Sequence, residues 1–275
     1  MSFDKHSMLT FLLVFATAAA FSVVSVTQLQ AWTPNGHEKI GKDLGQAGGL
    51  SSQHVDRLEN QAGWADSEEA EDGNGTWGIS EEVNPWTDRN VYPFSSTTAN
   101  FDHWYNVATG VGKAPDNAKR FMGWAAKWYI NNGYTNYGFK MLGRGNHYIH
   151  DMSVSYHTIA WSNVDKGCDG AFGWLTGGTL DHFPYESWHN SNYEDKYFDS
   201  YLEWGANWGA DYNVSSNSDI AKQTKELARE TKPRHNSIEN CQWQDDAYPT
   251  KQAMYDLGER ISSVNEYVAP GHFDY

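Results

Sequence analysis

A chain of 275 residues fits one medium-sized domain with a sizeable core. Its formal net charge of −15 opposes loose association with nucleic acid or anionic lipid, and no basic stripe is present to follow a phosphate backbone. The only cysteines are Cys168 and Cys241, spaced unlike a zinc finger; in an exported protein they form one disulfide or remain two thiols.

Residues 1–31 read as a signal peptide. Lys5 and His6 give a short basic start, Met8 to Val26 is mostly apolar, and Leu29-Gln30-Ala31 is an acceptable cleavage site. The alternative is an uncleaved anchor helix, since the apolar run nearly spans a bilayer. Cleavage after Ala31 leaves a domain of residues 32–275 that starts at Trp32. Its free amine and its own carbonyl make a chelating pair, and His37 adds an imidazole five residues on. A helix is predicted over His37 to Leu44, ending near Gly48-Gly49. A second runs from Ser51 to Ala62, with Ser51 or Ser52 as its cap. Ser67 to Asn100, rich in Glu, Gly, Asn, Thr and Pro, reads as an irregular excursion.

Pro115-Asp116 opens a helix with Phe121, Trp124, Ala125 and Trp128 on one face, and Gly133 stops it. The next helix covers Tyr134 to Met152. A glycine-rich loop follows over Ser162 to Gly178, then helices over Tyr185 to Trp208, Ser218 to Thr231 and Thr250 to Val268. Alternation of period two is nearly absent, so the fold class is all-α. The 13 Trp and 16 Tyr read as core packing where Leu and Ile are few, or as a rim that meets lipid or stacks on bases.

The residues that carry chemistry are histidines and carboxylates. His147 and Asp151 lie four apart on one helix face and can aim at one point, and a carboxylate has two oxygens with which to bridge two metals. His157 follows just beyond the helix. His182 and Glu186 repeat the same spacing, although Pro184 between them places the start of a helix there. Asp66 falls near a helix end and His103 in a polar stretch. Each alone also fits an ion pair or a cap. Together they run in the order Trp32, His37, Asp66, His103, His147-x-x-x-Asp151, His157, His182-x-x-x-Glu186.

That order resembles the bacterial zinc-dependent phospholipases C and, more distantly, the single-strand-specific zinc nucleases of the same superfamily. The resemblance spans Trp32 to Glu186. It implies a mostly helical fold with three Zn²⁺ ions at the base of a cleft. Asp66, His103, His147 and Asp151 would hold the first; His157, His182 and Glu186 the second; Trp32, His37 and the bridging Asp151 the third. Asp66 and Asp151 would also be catalytic, one as a base beside the attacking water and the other fixing the metal spacing. The implied protein is a secreted phospholipase C that acts on phospholipid at a membrane or micelle surface, with no protein partner evident. It would release diacylglycerol and a phosphorylated head group. The alternative is an extracellular single-strand nuclease, for which nucleic acid is the partner.

His182-x-x-x-Glu186 with Trp188 two residues on looks like the phospholipases. The Trp32-to-His37 spacing, the Trp-Ala-Asp66 stretch and the long loop from His157 to His182 look like the nucleases. The chain departs from the pattern at His150, usually Gly or Thr, at Ser155, usually Pro, and at Ala160, usually Asn; none is a ligand. Asp88 and Asp102 rival Asp66. Ser67 stands where such phospholipases often carry an aromatic beside choline. Tyr148, His150 and Asp181 are candidates to orient the ligands, whereas His54, His189, His235 and His272 read as surface or cap histidines. Trp64, Phe101, Trp104 and Tyr156 are candidates to line the approach to the cleft. A third reading is a non-enzymatic binding protein that keeps its metals for folding.

Overall fold

The computed structural model describes residues 34–63, 103–159, 179–235 and 246–275. Within them the fold is all-α apart from one minimal hairpin. The leader, the excursion over residues 67–100, the loop over residues 162–178 and both cysteines lie outside the described residues. No helix among the described residues is long and apolar enough to cross a membrane.

Helices α1 (Pro34–Ala47) and α2 (Ser52–Ala62) pack on each other across the turn at Gly48-Gly49. α1 starts earlier than predicted because Pro34, at its first position, has φ already set for a helix. Strands β1 (Tyr105–Asn106) and β2 (Val111–Gly112) pair antiparallel, Tyr105 opposite Gly112. Two residues per strand are too few to show alternation in the sequence. The turn is made by Asn106, whose Oδ1 accepts from the N–H groups of Ala108 at 2.8 Å and Thr109 at 3.3 Å. Gly112, at φ +128°, is needed because a Cβ there would meet the Trp104 carbonyl oxygen at 2.0 Å.

α3 (Ala114–Ala118), a π-helical stretch (Lys119–Ala126) and α4 (Lys127–Asn131) run on without a break. The predicted face of Phe121, Trp124, Ala125 and Trp128 assumes an α-helical turn. In the wider i→i+5 turn the buried set is instead Phe121, Met122, Gly123 and Ala126, and Trp124 is 47% exposed. α5 (Thr135–Asp151) lies against α2, α3 and the π-helical stretch. At Gly143 a Cβ would come within 2.6 Å of the Leu58 carbonyl oxygen, so glycine sets how closely α5 approaches α2.

The single helix predicted over 185–208 is two, α6 (Thr179–Ser191) and α7 (Phe198–Trp208). The break falls at Asn192, whose side-chain and backbone N–H groups both donate to the Trp188 carbonyl, at 2.8 and 3.0 Å, closing the last turn on itself. Tyr197, at φ 60°, then redirects the chain. Pro184 lies inside α6 rather than at its start. α8 (Asn217–Thr231) opens on a capping box of Ser216 and Asp219. α9 (Tyr248–Val268) packs mainly along α7. Ile40, Leu44, Leu58, Met122, Phe139, Leu142, Leu202, Leu257 and Ile261 are fully buried in one continuous core. Removing each such side chain from water contributes about 2 kcal/mol.

Candidate metal centre

Four segments deliver imidazoles to one buried point. Ile40 and Leu44 turn the inner face of α1 to the core, and His37, on that face, is fully buried. The last turn of α5 carries His147, His150 and Asp151, all at 0% exposure. His103 precedes β1. The hairpin is pinned by the Val107 N–H on the Thr158 carbonyl at 3.1 Å. His157 comes from the short 3₁₀ turn Ser155–Thr158 that supplies this carbonyl.

Asp151 lies between the imidazoles. His103 Nδ1 is 3.0 Å from Asp151 Oδ2 and 2.8 Å from His147 Nε2, and His147 Nε2 is 3.6 Å from the same oxygen. A triangle with these edges has a circumradius of about 1.9 Å, so a point about 2.0–2.1 Å from all three atoms exists just off its plane; those are zinc–ligand bond lengths. The other oxygen, Asp151 Oδ1, has no hydrogen-bond partner among the described residues and faces His37 Nε2 at 3.4 Å. His37, His147 and Asp151 each offer a ligand atom within 4.8 Å of the others.

Backbone carbonyls fix how two of these rings present themselves. His147 Nδ1 is 2.7 Å from the Ala62 carbonyl and His157 Nδ1 2.6 Å from the His103 carbonyl. A carbonyl only accepts, so each Nδ1 carries the proton and each Nε2 keeps its lone pair. Such backing is characteristic of metal-ligating histidines. His37 differs: its Nδ1 is 3.3 Å from His150 Nδ1, the two rings 5.5 Å apart and nearly parallel.

The electrostatics suit a cation. Burial, and after it the neighbouring His147, His150, His103 and His157, hold His37 well below its ordinary pKa. Burial and then His103 do the same for His147, with the Ala62 carbonyl pulling the other way. Burial takes His150 down to about 3. These rings are neutral at pH 7 and have lone pairs to give. Burial also raises the Asp151 carboxyl to about 6, against the hydrogen bond and charge of His103. A carboxylate so deeply buried needs a positive partner. The donor set, the triangle and the unpaired oxygen all fit a divalent metal such as zinc.

Of the residues predicted as ligands, the structure brings together His37, His103, His147 and Asp151. His157 joins them through the His103 carbonyl and lies within electrostatic reach of His37 and His147. Glu186 is buried on α6. His182 lies one turn earlier on that helix, and only its backbone is described. Trp32, Asp66, the rival carboxylates Asp88 and Asp102, and the aromatics Trp64 and Phe101 lie outside the described residues. Trp104 and Tyr156 are buried, not open to an approaching ligand. Tyr148 stands edge-on to His147 with ring centres 5.3 Å apart and walls the site. His189 and His235, predicted at the surface, are buried. His189 stacks on Phe198 at 4.6 Å and His235 lies edge-on to Tyr156 at 5.1 Å. The spacing of Tyr185, Glu186 and His189 along one face of α6 is the signal that marks His189 as internal. The Ala62 carbonyl, a backbone group, has no counterpart in any side-chain pattern.

No family model matches the chain, and no curated protein matches it. Among solved structures it is similar to the alpha toxin from Clostridium absonum, with a TM-score of 0.53 at 13% identity over 90% of this chain and 67% of the toxin chain. At that identity the likeness is one of fold.

Proposed function

We propose that the protein is a secreted zinc-dependent phosphodiesterase, and specifically a phospholipase C that cleaves glycerophospholipid to diacylglycerol and a phosphorylated head group. One observation carries the reading. Asp151 is fully buried with one oxygen turned to His103 and His147 and the other to His37, the disposition of a carboxylate shared between two cations. The fold likeness to a toxin and the order of ligand types along the chain support the same reading.

In it, three zinc ions would belong to the centre: His103, His147, Asp151 and Asp66 would hold one, His157, His182 and Glu186 another, and Trp32, His37 and Asp151 the third. Bound zinc supplies Lewis acidity toward the phosphoryl oxygens and an activated water at neutral pH. The protein's share is positioning. Asp151 sets the separation of two metal positions, Ala62 and the His103 carbonyl hold two imidazoles in the tautomer a metal requires, and Tyr148 keeps bulk water from the rings. Asp66 would supply a carboxylate base for a water at that centre.

The test is a paired assay on lecithin and on single-stranded DNA, each with and without chelator. Chelator-sensitive release of diacylglycerol supports the proposal. DNA cleavage in its place assigns the nuclease activity, for which the Trp-Ala-Asp66 stretch speaks and the charge of −15 speaks against. Chelator-sensitive melting with neither activity leaves a metal-stabilised binding protein.

A further inference from the structure

The imidazoles of the centre are backed in two different ways. His147 and His157 donate their Nδ1 protons to backbone carbonyls, which accept and never donate. Their tautomers are therefore set by the fold whether or not a cation is bound. His37 Nδ1 instead meets another imidazole nitrogen, His150 Nδ1, at 3.3 Å. Both rings are at 0% exposure, so water does not substitute for that partner. The opposite nitrogen, His37 Nε2, faces the unpaired Asp151 Oδ1 at 3.4 Å.

A neutral imidazole nitrogen gives or takes a proton according to its tautomer. With a cation between His37 and Asp151, His37 Nε2 must present its lone pair, so Nδ1 carries the proton and His150 Nδ1 accepts it. Without a cation, His37 Nε2–H can turn to Asp151 Oδ1, and His150 then donates to His37 Nδ1. The same N–N contact serves both arrangements.

We propose that His150 is a positioning residue that sets the tautomer of His37 and directs its Nε2 lone pair to a metal shared with Asp151. A position held through His37 then pays for a proton rearrangement that His147 and His157 do not need. It is the weakest held and the first to exchange its metal. The proposal rests on the metal-centre reading given above.

The experiment is a zinc titration against a chromophoric chelator on wild type, His150→Leu and His150→Gln. It is paired with long-range proton–nitrogen NMR of the histidine rings of the wild type. His150→Leu should lose about 10–100-fold in affinity for one zinc equivalent and leave the others unchanged. His150→Gln, whose amide oxygen accepts a hydrogen bond from His37 Nδ1–H, should stay within a few-fold of wild type. In the zinc-loaded wild type, His37 should carry its proton on Nδ1; in the chelated protein the signal should move toward Nε2–H. Wild-type affinity for every equivalent in His150→Leu overturns the proposal, as does a His37 proton on Nε2 when zinc is bound. If His150→Leu fails to fold, the glutamine variant and the wild-type spectra decide. A wild type that binds no zinc overturns the metal-centre reading as well. Normal zinc binding that ignores His150 overturns this proposal alone.

Discussion

Asp151→Asn should move stability in opposite directions in chelated and zinc-loaded protein. Burial raises the Asp151 carboxyl from 3.8 to about 6, so in the chelated protein the unfolded chain gives up this proton before the folded one does. Stability from this group is therefore fully present below pH 4, falls as pH rises from 4 to 6, and levels off above 7. The penalty reaches about 3 kcal/mol at pH 8, about half that at pH 5 and well under 1 kcal/mol at pH 4. A neutral amide of the same shape escapes it. Chelated Asp151→Asn should then melt about 6–12 °C above chelated wild type at pH 8, with the gap closing toward pH 4. Zinc reverses the order only if both ions that share Asp151 are lost. At a free concentration a hundredfold above its dissociation constant each ion stabilises wild type by about 2.7 kcal/mol, so one ion cancels the gap, and two, worth about 5 kcal/mol that the variant mostly forgoes, invert it. Phosphodiesterase turnover should fall by at least about 10²-fold, since two metal positions lose the carboxylate between them. Calorimetry at pH 8 and pH 4, with and without zinc, and elemental analysis read every arm. A chelated variant no more stable than wild type at pH 8 refutes the burial argument. Full zinc content with wild-type turnover refutes the shared carboxylate.

Chelated protein should also lose stability as pH falls below 6.5. His150, held near 3 in the fold, takes up its proton only in the unfolded chain, which is worth about 3 kcal/mol by pH 4. Urea denaturation of wild type against His150→Gln isolates this contribution. Gly143→Ala should cost about 1–3 kcal/mol and weaken zinc binding together with stability, because the new Cβ, 2.6 Å from the Leu58 carbonyl oxygen, pushes α2 and with it Ala62 away from His147. Thermal melts and chelator competition on the same sample check it. One residue added ahead of Trp32 should remove a single zinc equivalent and leave the others; a form extended in this way that keeps all three excludes the Trp32 amine as a ligand.

The sequence carried the helices whose apolar faces repeat regularly. α2, α5, α8 and α9 appear within two residues of where that periodicity places them. It misled where the backbone leaves the α-helical period. The π-helical stretch rotates Trp124 outward, and no apolar pattern in eight residues distinguishes its wider turn from an ordinary one. Asn192 hid a helix end because asparagine also occurs inside helices, and the second bond that its side chain gives the Trp188 carbonyl is visible only in three dimensions. In the centre, the order of residue types and its family resemblance singled out His37, His103, His147 and Asp151, and these four do lie together; helix spacing alone pairs only His147 with Asp151. Their backing was legible only in part. His150 could be suspected as a residue out of pattern, whereas the Ala62 and His103 carbonyls could not, because every residue has one.

Ala62 is the last residue of α2, where carbonyls run out of helical donors. Its oxygen is claimed by His147. Had the helix continued beyond Gly63, the N–H of residue 66 would take that oxygen, and the imidazole would be left to rotate. The length of α2 is therefore not a neutral trait. Insertions or helix-favouring drift between Ala62 and the proposed ligand Asp66 should be purged by selection as surely as loss of a ligand, even where the changed residue itself never touches a metal.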